Sequence, residues 1–314
     1  MNNTHRGKKG SVKSKNLHPL NIHKNGYDFP LLIKSCPRLN QYVDKNSHGN
    51  LSIDFANPEA VKALNAALLE HHYGVKGWDI PEGALCPPIP GRVDYIHYVA
   101  DLINETSHNQ PDSVADTKLL DIGTGANGIY PLLACKTYGW QCVGSDINAQ
   151  SLENVSAIIE HNTDLKDQFT LRHQADKNQF FKGIIQPNEY FDVTVCNPPF
   201  HASEEDALKG SRRKVNNLAR NRGDNAQIKN APLNFGGMEA ELWCKGGEAL
   251  FLKKMIKESK QFANQVGWFT SLVSKGENVK PLMKLINKSG AIEAQEIEMT
   301  QGNKITRMLA WRFA

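Results

Sequence analysis

The sequence predicts an α/β fold in which a small N-terminal helical unit precedes a seven-stranded, mostly parallel sheet. From residue 118 onward, short runs of β-forming residues alternate with segments of helical periodicity. The first of these runs leads directly into a glycine-rich turn, as in nucleotide-binding folds. The last two runs are joined by a turn at Gln301-Gly302-Asn303, so one strand is expected to be antiparallel.

Composition excludes several classes of protein. The 314 residues are 40% hydrophobic and 22% charged, enough for one large domain with an appendage or for two domains. No run of about 18 apolar residues occurs, and no apolar stretch follows the basic amino terminus, so we expect a cytoplasmic protein with no membrane partner. The six cysteines lack metal-ligand spacing, which predicts a reducing compartment and no metal.

The N-terminal residues divide into two predicted segments. Residues 1–26 are polar and basic, which predicts a disordered arm that either keeps the protein soluble or binds phosphates. Residues 27–110 are expected to form a helical unit flanking the main domain, with one helix capped by Asn57 and a second opening at Arg92. Arg92 is either a surface charge or a partner for a ligand carboxylate, and these residues alone favour the surface charge.

The main domain, predicted over 111–314, opens with a cofactor-type loop. A strand over 118–122 runs into Gly123 and Gly125, which allow a tight turn and close approach of the backbone to a ligand. Asp121, just before these glycines, would repel a pyrophosphate and attract an amino group and a sulfonium. The next strand ends at Asp146, which is positioned to accept hydrogen bonds from ribose hydroxyls. These residues favour S-adenosylmethionine over NAD.

The following strands supply the other half of a site. A strand over 169–173 leads to Asn178, which either contacts a cofactor's adenine or belongs to a polar turn. A strand over 191–196 ends at Asn197-Pro198-Pro199-Phe200, where ligands bind in open α/β sheets. The Asn197 side chain and the Pro198 carbonyl can accept the two hydrogens of an aromatic amine, and Phe200 can stack on its ring. The alternative is a proline-rich strand exit with a buried phenylalanine.

Residues 201–247 form a long basic segment directly after this tetrapeptide. Lys209–Lys229 contains seven basic residues and a single acid. Because long structureless loops in compact domains are usually functional or disordered, we predict a lid that contacts phosphates, the alternative being a solvated insertion.

The motifs resemble a known family. The loop Asp121-Ile122-Gly123-Thr124-Gly125, Asp146 and Asn197-Pro198-Pro199-Phe200 together resemble amino-group N-methyltransferases of the class I architecture. Three longer stretches are similar to the bacterial 23S ribosomal RNA adenine-N6 methyltransferase family, which modifies A1618 and is related to the eukaryotic U6 RNA enzyme. These stretches are 51–61, 90–97 and 300–311.

The resemblance implies an S-adenosylmethionine-dependent enzyme that acts on 23S ribosomal RNA or on a large-subunit assembly intermediate. We expect a monomer. It assigns Arg92 to the cofactor carboxylate, reversing the surface interpretation, and it adds cofactor roles for Gly123, Asp146 and Asn178. It assigns Asn197 and Phe200 to the target adenine. Protein glutamine N5-methylation and DNA adenine N6-methylation remain alternatives on chemistry alone, as does an RNA-binding protein without activity.

Overall fold

The N-terminal part of the chain folds into three helices and a short hairpin. The computed structural model describes residues 17–106, 116–199, 201, 203, 243–301 and 304–314. The first elements are α1 (Phe29–Ser35), β1 (Val43–Lys45), β2 (Leu51–Ile53), α2 (Pro58–Tyr73) and α3 (Ile89–Thr106). As predicted, Asn57 caps α2: its side-chain oxygen accepts from the amides of Glu59 and Ala60.

The remaining elements are strands and α-helices that mostly alternate. They are β3 (Lys118–Ile122), α4 (Ile129–Tyr138), β4 (Gln141–Asp146), α5 (Ala149–Glu160), β5 (Phe169–His173), β6 (Phe191–Cys196), α6 (Gly247–Ser259), β7 (Val266–Val273), α7 (Gly276–Lys288), β8 (Glu293–Gln301) and β9 (Lys304–Arg312). Seven of the strands form one sheet in the order β5-β4-β3-β6-β7-β9-β8. β9 pairs antiparallel with both β7 and β8, whereas the other pairings in that sheet are parallel. The predicted fold class is confirmed.

The sheet separates two layers of hydrophobic side chains. Consecutive residues of β3 point to opposite faces, so Leu119 belongs to one buried cluster and Leu120 to the other. The first cluster joins β3 to the helices that precede it in the chain and to α4 and α5. The second contains buried residues of α6 and α7. The N-terminal helices therefore share a continuous core with one face of the sheet.

The prediction of a disordered arm is wrong for residues 17–26. Residues 1–16 lie outside the described part of the chain. His18, Asn21 and His23 are each at most 5% exposed. Asn21 donates to the Pro90 carbonyl and to the Asp94 carboxylate on α3, and the His18 amide also donates to Asp94. This segment packs through polar contacts, which hydrophobic periodicity does not reveal.

Two further predictions fall mostly outside the described residues. Residues 204–242 of the predicted lid are not described, nor are Gly302 and Asn303 of the predicted turn. At the lid's ends, His201 and Trp243 form an isolated parallel bridge. Among the described helices, none has the length and apolar character needed to cross a membrane.

Candidate active site

The carboxyl ends of three adjacent parallel strands form the floor of a cavity. β3 lies between β4 and β6, with Ile122 opposite Ser145 on one side and Cys196 on the other. From β3 the chain continues to β4 and β5 on one side of the sheet, and from β6 it continues to β7, β8 and β9 on the other side. The place where β3 and β6 meet is therefore a topological switch point, where open α/β sheets bind ligands. Residues at or directly after the ends of these strands line the same cavity, among them Gly123, Asp146 and Asn197.

The glycine-rich loop brings backbone amides to this edge. Gly123 and Gly125 have φ angles of +75° and +62°, which favour glycine. The amides of Gly123 and Thr124 both donate to the Ser145 carbonyl, at 2.9 Å, which ties the loop to β4. Both glycines line the cavity wall, so the backbone there has no side chain to obstruct a bound molecule.

Asp146 is held rigidly at the end of β4. Its Oδ2 accepts from the Gly125 amide and its Oδ1 from the Asn148 amide, each at 2.8 Å. Burial raises the pKa of this carboxyl, and the backbone amides oppose that shift. Each oxygen keeps further acceptor capacity, so the carboxylate can also receive hydroxyl donors from a ligand in the cavity.

Asp121 is wholly buried beneath the loop. No donor among the described residues forms a hydrogen bond with either of its carboxylate oxygens. Burial raises its pKa to about 7, and the nearby Asp146 carboxylate adds to the shift. The Thr124 hydroxyl lies close enough to lower the pKa somewhat, without the geometry of a hydrogen bond, and Arg92 acts in the same direction. A buried acid without a partner is costly, which indicates a role in binding.

Arg92 faces the cavity from the first turns of α3. Its Nη1 donates to the Tyr130 hydroxyl at 2.6 Å, and its guanidinium lies 5.5 Å from the centre of that ring. Its Nε is buried with no hydrogen-bond partner among the described residues. The guanidinium is thus fixed in place with donor capacity remaining, as bidentate binding of a carboxylate requires.

Asn197 presents an amide to the cavity at the end of β6. Its side-chain oxygen is buried without a hydrogen-bond partner in the described structure. The residue before it, Cys196, donates its amide to the Tyr95 hydroxyl of α3 at 3.3 Å. Both prolines are buried, and only Pro199 lines the cavity. Phe200 lies outside the described residues.

Asn178 is not brought together with the other predicted residues. Its side chain contacts Asp176 and Lys254, and it lines a shallower groove beside the cavity. Phe180 and Phe251 instead form this part of the cavity wall, with their rings edge to face at 4.8 Å. Tyr130 and these two phenylalanines were missed by sequence reasoning, because no local motif distinguishes a wall residue from an ordinary core aromatic.

The polar groups of the cavity that keep spare hydrogen-bonding capacity are suited to one kind of ligand. Arg92 can bind a carboxylate and Asp146 a pair of hydroxyls, around glycines that admit close contact. Asp121 does not line the cavity: it is fully buried beneath the glycines, close enough to Arg92 and Asp146 for their charges to act on its pKa. The Asn197 oxygen remains as a further acceptor in the same cavity, which Pro199 also lines. No cluster of three or more metal-binding side chains occurs in the described ranges. The cavity therefore fits an amino-acid-bearing nucleoside beside a second, amine-bearing group.

Comparison with known proteins agrees with this geometry. A family model described as RNA methyltransferase matches residues 11–314. The ribosomal RNA large subunit methyltransferase F of Saccharophagus degradans is 61% identical over 307 residues, covering 96% of each chain. The catalytic domain of human METTL16, solved with the MAT2A 3'UTR hairpin 1, is 30% identical with a TM-score of 0.79 and covers 96% of each chain.

A second solved structure of the human protein contains a ligand. The N-terminal domain of human METTL16 in complex with SAH is 27% identical, with a TM-score of 0.74, covering 95% of this chain and 99% of that one. Because the family model and the bacterial relative both extend over nearly the whole sequence, the chain belongs to the RNA methyltransferase family.

Proposed function

We propose that this protein methylates N6 of an adenine in 23S ribosomal RNA, the A1618 position of the family it resembles, using S-adenosylmethionine. The observation that carries the proposal is the unpartnered Asn197 oxygen, which shares a cavity with Arg92 and Asp146. The name of the bacterial relative supports a ribosomal RNA substrate, and the SAH complex of human METTL16 supports the cofactor. We also propose that the enzyme acts in the cytoplasm.

The cofactor half of the cavity has a role for each residue. When bound, S-adenosylmethionine supplies a methyl group activated by a sulfonium. Arg92 would bind its carboxylate and Asp146 its ribose hydroxyls, and Asp121, buried beneath the loop, would favour its amino group through its charge. Gly123 and Gly125 leave room for the backbone to contact it. Residues 27–110 contribute to this half through α3, which carries Arg92.

Asn197 and Pro198 prepare the nucleophile. The exocyclic nitrogen of adenine is weakly nucleophilic because its lone pair is delocalised into the ring. Hydrogen bonds from its two protons to the Asn197 side-chain oxygen and the Pro198 carbonyl favour a more tetrahedral nitrogen. The nitrogen would then attack the sulfonium methyl in line, so that the N–C bond forms as the S–C bond breaks and the neutral thioether S-adenosylhomocysteine leaves. The extra proton on the nitrogen would pass to water. Holding the reactants at attack distance supplies most of the rate enhancement, with no general base and no covalent intermediate.

The target base has to leave its stack to reach Asn197. Unstacking costs a few kcal/mol in a duplex and less in a loop, so a single-stranded or bulged adenine is the expected target. We propose that Phe200 stacks on the inserted ring and offsets part of this cost. The basic segment 209–229 would add contacts with phosphates.

The decisive experiment is to incubate the protein with labelled S-adenosylmethionine and unmodified 23S ribosomal RNA, followed by nucleoside analysis and mapping of the modified position. We expect label in N6-methyladenosine at a single site. Total protein and duplex DNA serve as competing substrates, and label in glutamine or in DNA would overturn the RNA assignment. The matched control is Asn197→Ala, which should bind the cofactor normally by calorimetry and lose turnover by at least about a hundredfold.

A further inference from the structure

The second helical layer of the sheet presents a lysine-rich outer face. Between residues 249 and 290 the chain contains eight lysines and two acids, Glu258 and Glu277. The lysines are Lys253, Lys254, Lys257, Lys260, Lys275, Lys280, Lys284 and Lys288, and all are exposed. The buried residues of α6 and α7 face the sheet, so the charge collects on the side away from it.

Three of these lysines form a continuous group on α6. Lys253, Lys254 and Lys257 are exposed, whereas Leu252 and Met255 are fully buried. None of the three forms an ion pair with another described residue. We call them the α6 lysine ridge.

The adjacent acid does not neutralise the ridge. Glu258 points toward the neighbouring loop, where its carboxylate accepts hydrogen bonds from the amides of Phe180, Phe181 and Lys182. That loop contributes two exposed lysines of its own, Lys177 and Lys182. The surface beside the ridge therefore carries an excess of positive charge.

The ridge begins at the mouth of the active-site cavity. Phe251, two residues before Lys253, lines the cavity next to Phe180. Lys254 donates to the Asn178 side chain at 3.1 Å, in the groove that adjoins the same opening. No residue of α7 lines the cavity, so the lysines of α7 are the more distant part of the basic face.

We propose that the α6 lysine ridge binds the phosphates of the RNA strand next to the target adenine. This inference rests on the proposed function for the class of substrate. Lysine carries a compact charge that suits phosphate contacts without base specificity. Lys253 and Lys257 lie about 6 Å apart along the helix axis, which spans roughly two nucleotides of one duplex strand. The ridge thus orients the RNA so that one base reaches Asn197.

The test compares two triple variants that remove the same charge. The ridge variant is Lys253→Gln, Lys254→Gln and Lys257→Gln, and the control is Lys280→Gln, Lys284→Gln and Lys288→Gln on α7. Affinity for transcribed, unmodified 23S ribosomal RNA is measured by filter binding over a series of salt concentrations, without cofactor. We expect the ridge variant to bind at least about tenfold more weakly, with a salt slope smaller by about 2, and the control to bind nearly as wild type.

The outcomes separate this inference from the proposed function. Equal losses of RNA affinity in the two variants would show a general charge effect and would overturn the proposed role of the α6 lysine ridge. An unchanged RNA affinity of the ridge variant would overturn it as well. Cofactor affinity by calorimetry should be unchanged in both variants, which checks that the fold is intact. If the wild-type protein binds RNA but transfers no methyl group to adenine, the proposed function fails. The comparison of RNA affinities then still tests whether the α6 lysine ridge binds RNA.

Discussion

The hydroxyl of Tyr95 accepts a hydrogen bond from the Cys196 amide at 3.3 Å, one residue before Asn197. Tyr95 is fully buried, and the same hydroxyl also contacts Thr270 Oγ1 at 2.8 Å. The register of β6 with β7 extends to Thr194 opposite Phe269. Tyr95 therefore holds the backbone where β6 leaves the sheet and the proposed catalytic residues begin.

We expect Tyr95→Phe to reduce kcat about tenfold while leaving cofactor affinity near wild type. The substitution keeps the ring and removes the hydroxyl, which leaves the buried Cys196 amide unpaired and frees the backbone before Asn197. Steady-state methylation and calorimetry with S-adenosylmethionine separate the two effects. Equal loss of kcat and cofactor affinity would indicate general destabilisation instead.

Tyr130→Phe provides the matched comparison on the cofactor side. Its hydroxyl receives the Arg92 Nη1 hydrogen bond, and its ring packs edge to face on Tyr95 at 5.3 Å. Loss of the hydroxyl should release the guanidinium and raise the KM for S-adenosylmethionine several-fold, with a smaller effect on kcat. An effect on kcat alone would contradict a carboxylate-binding role for Arg92.

The buried Asp121 predicts a pH-dependent stability. Its pKa is about 7 in the folded protein, above the ordinary value of 3.8, so the folded state retains a proton that the unfolded state releases. The free energy of unfolding should therefore fall as pH rises from about 4 to about 7. Asp121→Asn removes this loss, and we expect its melting temperature to exceed that of wild type by on the order of 5 °C at pH 8 and by less at pH 5.

Asp121→Asn should also lose affinity for the cofactor, because Asp121 supplies the charge expected to attract the amino group of the cofactor. Asp167→Asn removes an exposed carboxylate and serves as the control, with both melting temperature and affinity near wild type. A stability gain of Asp121→Asn that is the same at pH 5 and pH 8 would argue against a raised pKa at this position.

The strands and the residues at their ends were predictable from the sequence because their signals are local. Asp121 lies one residue before the end of a short apolar run, Asp146 ends the next strand, and Asn197 follows a run that two prolines terminate. The bounds of β3, β5 and β6 match the predicted strands, and β4 ends at Asp146 as predicted. Given parallel strands, residues at their carboxyl ends must lie at one edge, so the convergence of these side chains follows from topology.

The supporting contacts were not predictable, because their partners are remote in sequence. Tyr95 and Cys196 are separated by 101 positions, and neither belongs to a pattern that marks the other. Asn178 is the opposite case, because a local signal was present but its side chain does not line the cavity. Its place after β5 suggested a cofactor contact, but its side chain is engaged by Asp176 and Lys254, and Phe180 takes the place on the wall.

Glu258 is expected to support the cavity wall from outside it. Its carboxylate accepts from the amides of Phe181 and Lys182 at 2.9 Å and also from the Phe180 amide. Glu258→Gln replaces one acceptor by a donor that cannot pair with these amides. It should cost about 1–3 kcal/mol of stability and raise the KM for S-adenosylmethionine, because Phe180 moves. Denaturant unfolding and kinetics test this, with Glu277→Gln on α7 expected to be neutral.

The packing of residues 17–26 changes what an N-terminal truncation can show. A chain beginning at residue 17 lacks five of the basic residues but keeps His18, Asn21 and His23. It should melt like wild type and bind RNA with a weaker dependence on salt, if the removed charges contact phosphates.

A chain beginning at residue 25 also loses the Asn21 contacts with Pro90 and Asp94, close to Arg92 in α3. It should melt at least several degrees lower and bind S-adenosylmethionine more weakly, because those buried partners lose their donors. Melting curves and calorimetry on both truncations make the comparison. Equal melting temperatures would show that the 17–24 contacts contribute nothing to stability, and an unchanged salt slope in the shorter truncation would exclude residues 1–16 from RNA binding.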